Sequence, residues 1–322
     1  MEIENSFPTM KICVHSGKFH ADDVLSVFLL KSLDEYKDAE VIRTRDMEVI
    51  NNCDIVCDVG GVYDHDKKRY DHHQTNFFMT YPNRKVPLSS CGLIYLHYGE
   101  RAIREILKKN NRDASKYIQF LIDSMYDNFV QEIDAIDNGF SQAEGYTSKY
   151  IIASDISSRI DYLNVRSEEN MKEFNQAIDL IGEEFTFRLL RYCDCDVPAA
   201  EVTQKAYDSR FDVDPSGHII VLSEFCDPRP HLKYIEKPDE PLIYFYLRQD
   251  GNLPWRIQTV EYPGSFKPRV RLPYGGLMEE DLSKASGIPG GKFCHKTGFL
   301  GVFYTYEGAL AFARLALEKN LK

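Results

Sequence analysis

Histidine and aspartate residues recur in the first quarter of the chain in a pattern that could bind metal. They are His15, His20, Asp22, Asp58 and the consecutive Asp71, His72 and His73. Hard divalent cations prefer carboxylate oxygens, whereas imidazole suits Mn²⁺ and the later metals. The mixed set therefore predicts a divalent metal site, with Mn²⁺ preferred and Mg²⁺ as the alternative.

Each part of this set also has a purely structural explanation. His20 and Asp22 would suit the first turn of a helix, where capping and the helix dipole favour such residues. An aspartate before two glycines, like Asp58, often simply ends a strand. Two adjacent histidines beside an aspartate in a polar loop are harder to explain by packing, so the residues at 71–73 favour the functional interpretation.

Alternating strands and helices are predicted to position these residues. Residues 11–14, 40–44 and 54–59 have strand character, and residues 24–33 have apolar positions at helical spacing. This rhythm predicts βαβ units and a parallel sheet, in which ligands bind at the carboxyl ends of strands. His15, Arg45 and Asp58 fall at or just past those ends.

Helical periodicity dominates the next stretch, at residues 90–109, 115–136 and 167–192. In the second of these helices, four aspartates share one face, opposite an apolar stripe that ends at Ile136. They are Asp123, Asp127, Asp134 and Asp137. An ordinary solvated acidic face is one interpretation, and a metal ligand at Asp134 or Asp137 is the other.

A second domain is predicted after a break near Pro198, which could begin a helix reaching residue 211. Strands are expected at 219–224, 242–247 and 256–261, a surface loop at 228–241, and helices at 279–285 and 307–317 around a Gly-rich segment at 287–301. The expected fold class is α/β. Residues 1–195 would form a mainly parallel sheet flanked by helices, and residues 196–322 a smaller α/β domain.

Composition excludes several classes of protein. A chain that is 43% hydrophobic and 28% charged is too apolar to be disordered, and no apolar stretch approaches the ~20 residues that span a bilayer. The first ten residues, with Glu2 and Glu4, resemble neither a signal peptide nor a mitochondrial presequence, so we expect a cytoplasmic or nuclear protein.

A net charge of −11 argues against coating nucleic acid by bulk electrostatics. The eight cysteines lack a zinc-binding spacing and are expected to be reduced core residues.

Together the motifs resemble the MYG (melanocyte-proliferating-gene) exonuclease family, a branch of the DHH phosphoesterases. The series contains His15-x4-His20-x-Asp22, Asp58-Val59-Gly60-Gly61 and Tyr70-Asp71-His72-His73-Gln74. It continues at residues 43–46, 132–139, 255–256, 286–290 and 306–310, and so covers nearly the whole chain. The combination in this order is specific, whereas any one motif is not.

The resemblance implies two divalent metal ions and a role for each residue of the cluster. Asp58 would bridge the ions, Asp22 and His72 would bind the second ion, and Asp134 or Asp137 would complete its site. His73 would contact the scissile phosphate. The first motif departs from the DHH pattern, because His20 stands where an aspartate is expected and one extra residue separates it from His15.

The resemblance further implies a 3′–5′ exonuclease whose partner is the 3′ end of single-stranded RNA. The candidate substrate contacts are Arg43, Arg45, Arg256, Gly290, Gly291, His295 and Lys296. One rival is a hydrolase of short oligonucleotides, cyclic dinucleotides or pyrophosphate that uses the same metals. Another is a regulatory protein that binds metal or nucleic acid without turnover. The oligomeric state is left open.

Overall fold

The computed structural model describes residues 9–113, 115–142, 145, 149–165, 170–262, 265 and 267–320. Glu2, Glu4 and the predicted helix start at Ser167 lie outside the described residues. The chain forms two compact units that divide between Cys193 and Asp194. Within the described part of the chain, no helix is both long enough and apolar enough to cross a membrane.

The first unit is built on a five-stranded mixed sheet. Its strands are β1 (Lys11–Val14), β2 (Glu40–Arg43), β3 (Ile55–Cys57), β4 (Tyr63–Asp64) and β5 (Arg69–Tyr70). The order across the sheet is β2-β1-β3-β5-β4; the first three pairs are parallel, and β5 pairs with β4 antiparallel. The predicted parallel centre is therefore present. The β4–β5 hairpin was not predicted, because two-residue strands leave no periodicity to detect.

Seven helices accompany this sheet in the described residues. They are α1 (Ala21–Lys31), α2 (Met47–Asn51), α3 (Ser90–Lys109), α4 (Ile118–Met125), α5 (Gln131–Asp137), α6 (Ile156–Asp161) and α7 (Met171–Arg191). Helix α1 packs against α3 and α7 and is buried along nearly its whole length. That explains its apolar sequence, and it also means that any polar residue near its start is buried with it.

The long helix predicted at 115–136 is interrupted. The prediction that its four aspartates share one face opposite the apolar stripe is wrong. A 3₁₀ turn (Ser115–Tyr117) precedes α4, and a π-helical turn (Tyr126–Val130) separates α4 from α5. Because a π turn takes more residues than an α turn, the residues after it are rotated out of phase with those before it. Asp134 is fully buried, and Ile136, predicted to be in the core, is half exposed.

The second unit contains another five-stranded mixed sheet with five helices in its described residues. The elements are α8 (Val197–Asp208), α9 (Arg210–Val213), β6 (Ile219–Val221), α10 (Arg229–Ile235), β7 (Phe245–Arg248), β8 (Trp255–Thr259), α11 (Glu279–Ser286), β9 (Gly291–Cys294), β10 (Leu300–Phe303) and α12 (Tyr306–Asn320). The order is β6-β7-β8-β10-β9; only β6 and β7 pair in parallel. The fold class is thus α/β in both units, whereas the DHH-like arrangement and the roles of the two predicted domains stay predictions.

Helix α10 corrects the prediction of a surface loop at 228–241. The prolines at 228 and 230 favoured the loop prediction, although proline is well tolerated in the first turn of a helix. His231 and Leu232 are buried, and α10 packs against α8. Six of the eight cysteines are buried, as expected of core residues.

Candidate metal centre

Three neighbouring parallel strands end at the same edge of the first sheet, and each is followed by a residue of the predicted cluster. His15 follows β1, Asp58 follows β3, and Asp71, His72 and His73 follow β5. The imidazole Nε2 of His15 lies 3.2 Å from Oδ2 of Asp58. Because the strands are parallel neighbours, the residues that follow them meet at one edge of the sheet and form a shared site.

The start of α1 brings two more residues to this edge. His20 is the N-cap of α1, and its ring centroid lies 5.6 Å from that of His15. Asp23 closes the cap by accepting a hydrogen bond from the His20 backbone N–H, and its Oδ2 lies 3.4 Å from His15 Nε2. Asp23 was not predicted as a site residue. Its position next to Asp22 in the first turn of α1 is the sequence feature that could have indicated it.

Three overlapping sets of side chains present ligand atoms that lie within 4.8 Å of one another. The sets are His15, His20 and Asp58; Asp58, His72 and His73; and His20, Asp22 and Asp137. Asp58 and His20 each belong to two sets, so neighbouring cations would share ligands. The mixture of imidazole and carboxylate groups suits Mn²⁺ and also Mg²⁺.

The carboxylate of Asp22 provides a test of whether a cation fits here. The residue is fully buried, and neither carboxylate oxygen has a hydrogen-bond partner. Burial, with the nearby charges of Asp58 and Asp137, raises the pKa of Asp22 well above its usual value. An unpartnered buried carboxylate is costly, and a bound cation removes that cost. The residues present therefore fit a divalent metal site.

The histidines of the cluster are held by carboxylates. Although burial lowers it, the carboxylates of Asp137 and Asp58, 3.0 and 3.5 Å from Nε2, raise the pKa of His72 to about 10. Burial would raise the pKa of Asp58, but the imidazoles of His15 and His72, 3.2 and 3.5 Å away, hold it below its usual range. A cation bound between these side chains would balance the negative charge of the carboxylates, as the imidazole protons do without it.

Backbone and amide oxygens select the ring nitrogen that faces the cluster. With the proton on Nδ1, His15 donates to the carbonyl of Ser16 at 3.1 Å, and His72 donates to Oδ1 of Asn138 at 3.3 Å. Both Nε2 atoms then point to Asp58 as ligand atoms. Such outer partners typically orient metal-binding histidines. The orienting role of Asn138 was not predicted.

Asp71 positions His73 instead of joining the cluster. Its Oδ1 lies 2.6 Å from His73 Nδ1, and its Oδ2 accepts a hydrogen bond from the Gly61 backbone N–H at 2.6 Å. The bond to Asp71 raises the pKa of His73. The His73 side chain is mostly exposed, so a ligand arriving from solvent can reach it.

The structure separates the two aspartates that the sequence left as alternatives. Asp137 Oδ2 lies 3.0 Å from His72 Nε2, within the cluster. Asp134 instead accepts hydrogen bonds from the backbone N–H and hydroxyl of Ser89 and from the hydroxyl of Tyr126, at 2.8–3.0 Å. Burial raises the pKa of Asp134 to about 6. Asp134 thus ties α5 to the start of α3, and Asp137 faces the ligand atoms.

The two predicted arginines near the first sheet have different surroundings. The Arg43 guanidinium lies 4.6 Å from the ring centroid of Phe174 and hydrogen bonds to Gly17 and Asn170. Arg45 is exposed, and its Nη2 lies 3.3 Å from His15 Nδ1. Arg45 is therefore beside the cluster and open to solvent, whereas Arg43 is engaged in packing.

The remaining predicted substrate residues lie in the second unit. Gly290 takes a positive φ of 78° just before β9, and Gly291 begins that strand, where a Cβ would come within 2.9 Å of Leu282. His295 and Lys296 follow β9, with His295 Nδ1 2.9 Å from the Thr297 hydroxyl. Arg256, on β8, pairs with Asp250 at 3.4 Å. Their role as substrate contacts stays a prediction.

Comparison with known proteins places the chain in a family. The profile of MYG1_exonuc, described as an uncharacterised protein family (UPF0160), matches residues 11–317. The chain is 41% identical to MYG1 protein C27H6.8 of Caenorhabditis elegans, over 96% of both chains. It is 42% identical to the MYG1 exonuclease of Homo sapiens, over 96% of this chain and 86% of the human protein. The chain belongs to the MYG1 family.

Proposed function

We propose that the protein is a metal-dependent phosphodiester hydrolase that removes nucleotides from the 3′ end of single-stranded RNA. The observation that carries the proposal is the position of Asp58. Its Oδ2 faces His15 at 3.2 Å and its Oδ1 faces His72 at 3.5 Å. A carboxylate with one oxygen toward each of two ligand groups is suited to bridge two cations.

The ligand roles combine the three sets of side chains with the motif resemblance. His15, His20 and Asp58 form one set and would hold one ion. The resemblance assigns Asp58, His72 and Asp22 to the other ion, and Asp137, which shares a set with Asp22 and lies 3.0 Å from His72, would complete that site. Divalent ions, when bound, supply the positive charge that lowers the pKa of water and stabilises negative charge on phosphoryl oxygens. The protein's own residues keep the ligand atoms in place and exclude bulk water from Asp22 and Asp58, which are buried.

Two exposed cationic groups would orient the phosphate. His73 is held by Asp71 through Nδ1, so its Nε2 is available as a donor to a phosphoryl oxygen. Arg45 is exposed beside His15 and would contact a second oxygen or the neighbouring phosphate. The net charge of −11 leaves such local groups and the metal ions as the attraction for a polyanion.

Exonuclease activity is supported by the names of relatives, including the human and bovine MYG1 exonucleases. RNA as the substrate, the 3′–5′ direction and membership of the DHH superfamily rest on the motif resemblance. By the same resemblance, His295, Lys296 and Arg256 of the second unit would contact the nucleic acid.

The test is a nuclease assay on end-labelled RNA and DNA with Mn²⁺, Mg²⁺ or chelator. We expect stepwise shortening of single-stranded RNA from the 3′ end that requires the divalent ion and is lost with chelator. Equal rates with and without chelator would contradict metal dependence. Shortening only of dinucleotides, and not of twenty-residue RNA, would favour a hydrolase of short oligonucleotides. Metal binding without any turnover would favour a regulatory protein.

A further inference from the structure

A cavity of about 600 Å³ lies directly beside the third metal-binding set in the first unit. His20, Asp22 and Asp137 form one side of it. Pockets for small organic ligands commonly measure ~300–1,000 Å³. The cavity is therefore large enough for one nucleoside whose phosphate lies at the metal ligands.

Large apolar side chains also line the cavity. Ile136 at the end of α5, Ile152 before α6 and Tyr162 just after α6 all line it, and each is at least half exposed. Exposed apolar groups around a concave site typically mark a place where a ligand binds. An exposed aromatic ring such as that of Tyr162 provides a stacking surface for any base, independent of sequence.

The charged groups of the cavity disfavour a phosphate inside it. Asp155 and Asp161 line it in addition to the metal-binding carboxylates, and none of the described lining residues is Lys or Arg. Asp161 pairs with Lys18 at 2.6 Å, and Asp155 accepts hydrogen bonds from Ser158. A phosphate deep in this cavity would meet carboxylates, whereas an uncharged base and sugar would not.

Besides the two carboxylate oxygens of Asp22, one further polar atom of the lining residues lacks a hydrogen-bond partner. The hydroxyl of Ser157, which belongs to a lining residue, is buried and makes no hydrogen bond. A buried hydroxyl without a partner is unfavourable, and a sugar hydroxyl or a base edge could satisfy it. The cavity thus combines apolar walls, an unsatisfied hydroxyl and a phosphate-binding side.

We propose that this cavity binds the terminal nucleoside of the substrate, with the base against Tyr162 and Ile152 and the scissile phosphate at the metal ligands. Since the walls would repel a further phosphate, the chain ends in the cavity, and the enzyme acts at ends instead of within a strand. This inference rests on the proposed hydrolase function and adds the site that recognises the end.

The experiment compares Tyr162→Ala with wild-type protein in Mn²⁺ on two substrates and one product. The substrates are a linear RNA oligonucleotide and the same RNA with an abasic ribose at its 3′ end, and the product is adenosine 5′-monophosphate as a competitive inhibitor. We expect KM for the RNA with all its bases and the inhibition constant of the nucleotide to rise at least about fivefold through lost base stacking. KM for the RNA with the abasic end should stay within about twofold, because its terminal nucleoside has no base to stack.

Phe187→Ala is the matched control, since Phe187 is an exposed aromatic residue of α7 that does not line the cavity. Ile152→Ala should act in the same direction as Tyr162→Ala. A circular RNA of the same sequence should be cleaved at least about a hundredfold more slowly than the linear one if a free end must enter the cavity.

Three results would overturn the inference. They are unchanged nucleotide binding in Tyr162→Ala, equal losses on the two linear RNAs, and cleavage of circular RNA at the linear rate. The first two results leave the proposed function intact, whereas the third also contradicts removal of nucleotides from an end. If wild-type protein with Mn²⁺ hydrolyses neither substrate, the proposed function fails instead.

Discussion

The two units bury histidines to a similar extent, but burial is followed by opposite shifts of the histidine pKa. His15 and His72 of the first unit are 3% and 8% exposed, and His231 of the second unit is 2% exposed. Carboxylates outweigh burial at His15 and His72 and raise their pKa values. Burial lowers the pKa of His231 to about 4. Where burial outweighs the nearby charge, as it does over Asp227 at His231, the histidine is neutral. Carboxylates gathered around a buried imidazole instead indicate a place for positive charge.

Asp58→Asn should have the largest effect, because it removes the carboxylate shared by His15 and His72. Loss of an outer-shell partner typically costs ten- to hundredfold in metal affinity or activity, so loss of a bridging ligand should lower the Mn²⁺-dependent rate at least about a hundredfold. Initial rates on end-labelled RNA measure this. Asp34→Asn, at an exposed aspartate of the same unit, serves as the control and should leave the rate unchanged. Substantial activity in Asp58→Asn would contradict the bridging role.

Asp134→Ala and Asp137→Ala should separate stability from activity within one short helix. Asp134→Ala leaves the Ser89 and Tyr126 donors unpaired, so the free energy of unfolding should fall by about 3 kcal/mol. Asp137→Ala should leave unfolding in chelator nearly unchanged but weaken Mn²⁺ binding. Urea unfolding and metal titration measure the two effects. If Asp134→Ala is as stable as wild type, the structural role assigned to Asp134 is contradicted.

Mn²⁺ should stabilise the wild-type protein more than Asp22→Asn. At a free ion concentration about a hundred times the Kd, binding to the folded state alone adds about 2.7 kcal/mol. In chelator, Asp22→Asn should be at least as stable as wild type, because the substitution removes one of several crowded carboxylates. Thermal unfolding with Mn²⁺ and with chelator checks both statements. A full Mn²⁺ shift in Asp22→Asn would exclude Asp22 as a ligand.

His231 should make the protein less stable in mild acid. In the unfolded chain this histidine takes up a proton near its usual pKa of 6.5, but in the folded protein it stays neutral down to about pH 4. The unfolded state therefore binds more protons between these values, and stability falls as the pH falls. From pH 7 to 5 the contribution is about 2 kcal/mol. Urea unfolding in chelator should show a shallower fall for His231→Gln, and an equal fall would contradict this origin.

Much of the first unit could be predicted from local sequence. The strand at Lys11–Val14 and the helix at Ser90–Lys109 have the predicted bounds, since both combine clear periodicity with a buried face. Residues just after the strands, such as His15 and Asp58, could be singled out because the carboxyl ends of parallel strands share one edge. Short elements without periodicity, such as β4, β5 and α10, could not.

The sequence by itself determined which residue types follow each strand, and hence that imidazoles and carboxylates would meet at one edge of a sheet. Only the tertiary structure shows that Asp137 lies beside His72 and that Asp134 is buried against Ser89 and Tyr126, because the π-helical turn before α5 changes which side chains face inward. It also shows that carboxylates outweigh burial at His72 but not at His231, because charge at a buried site depends on residues far away in the chain.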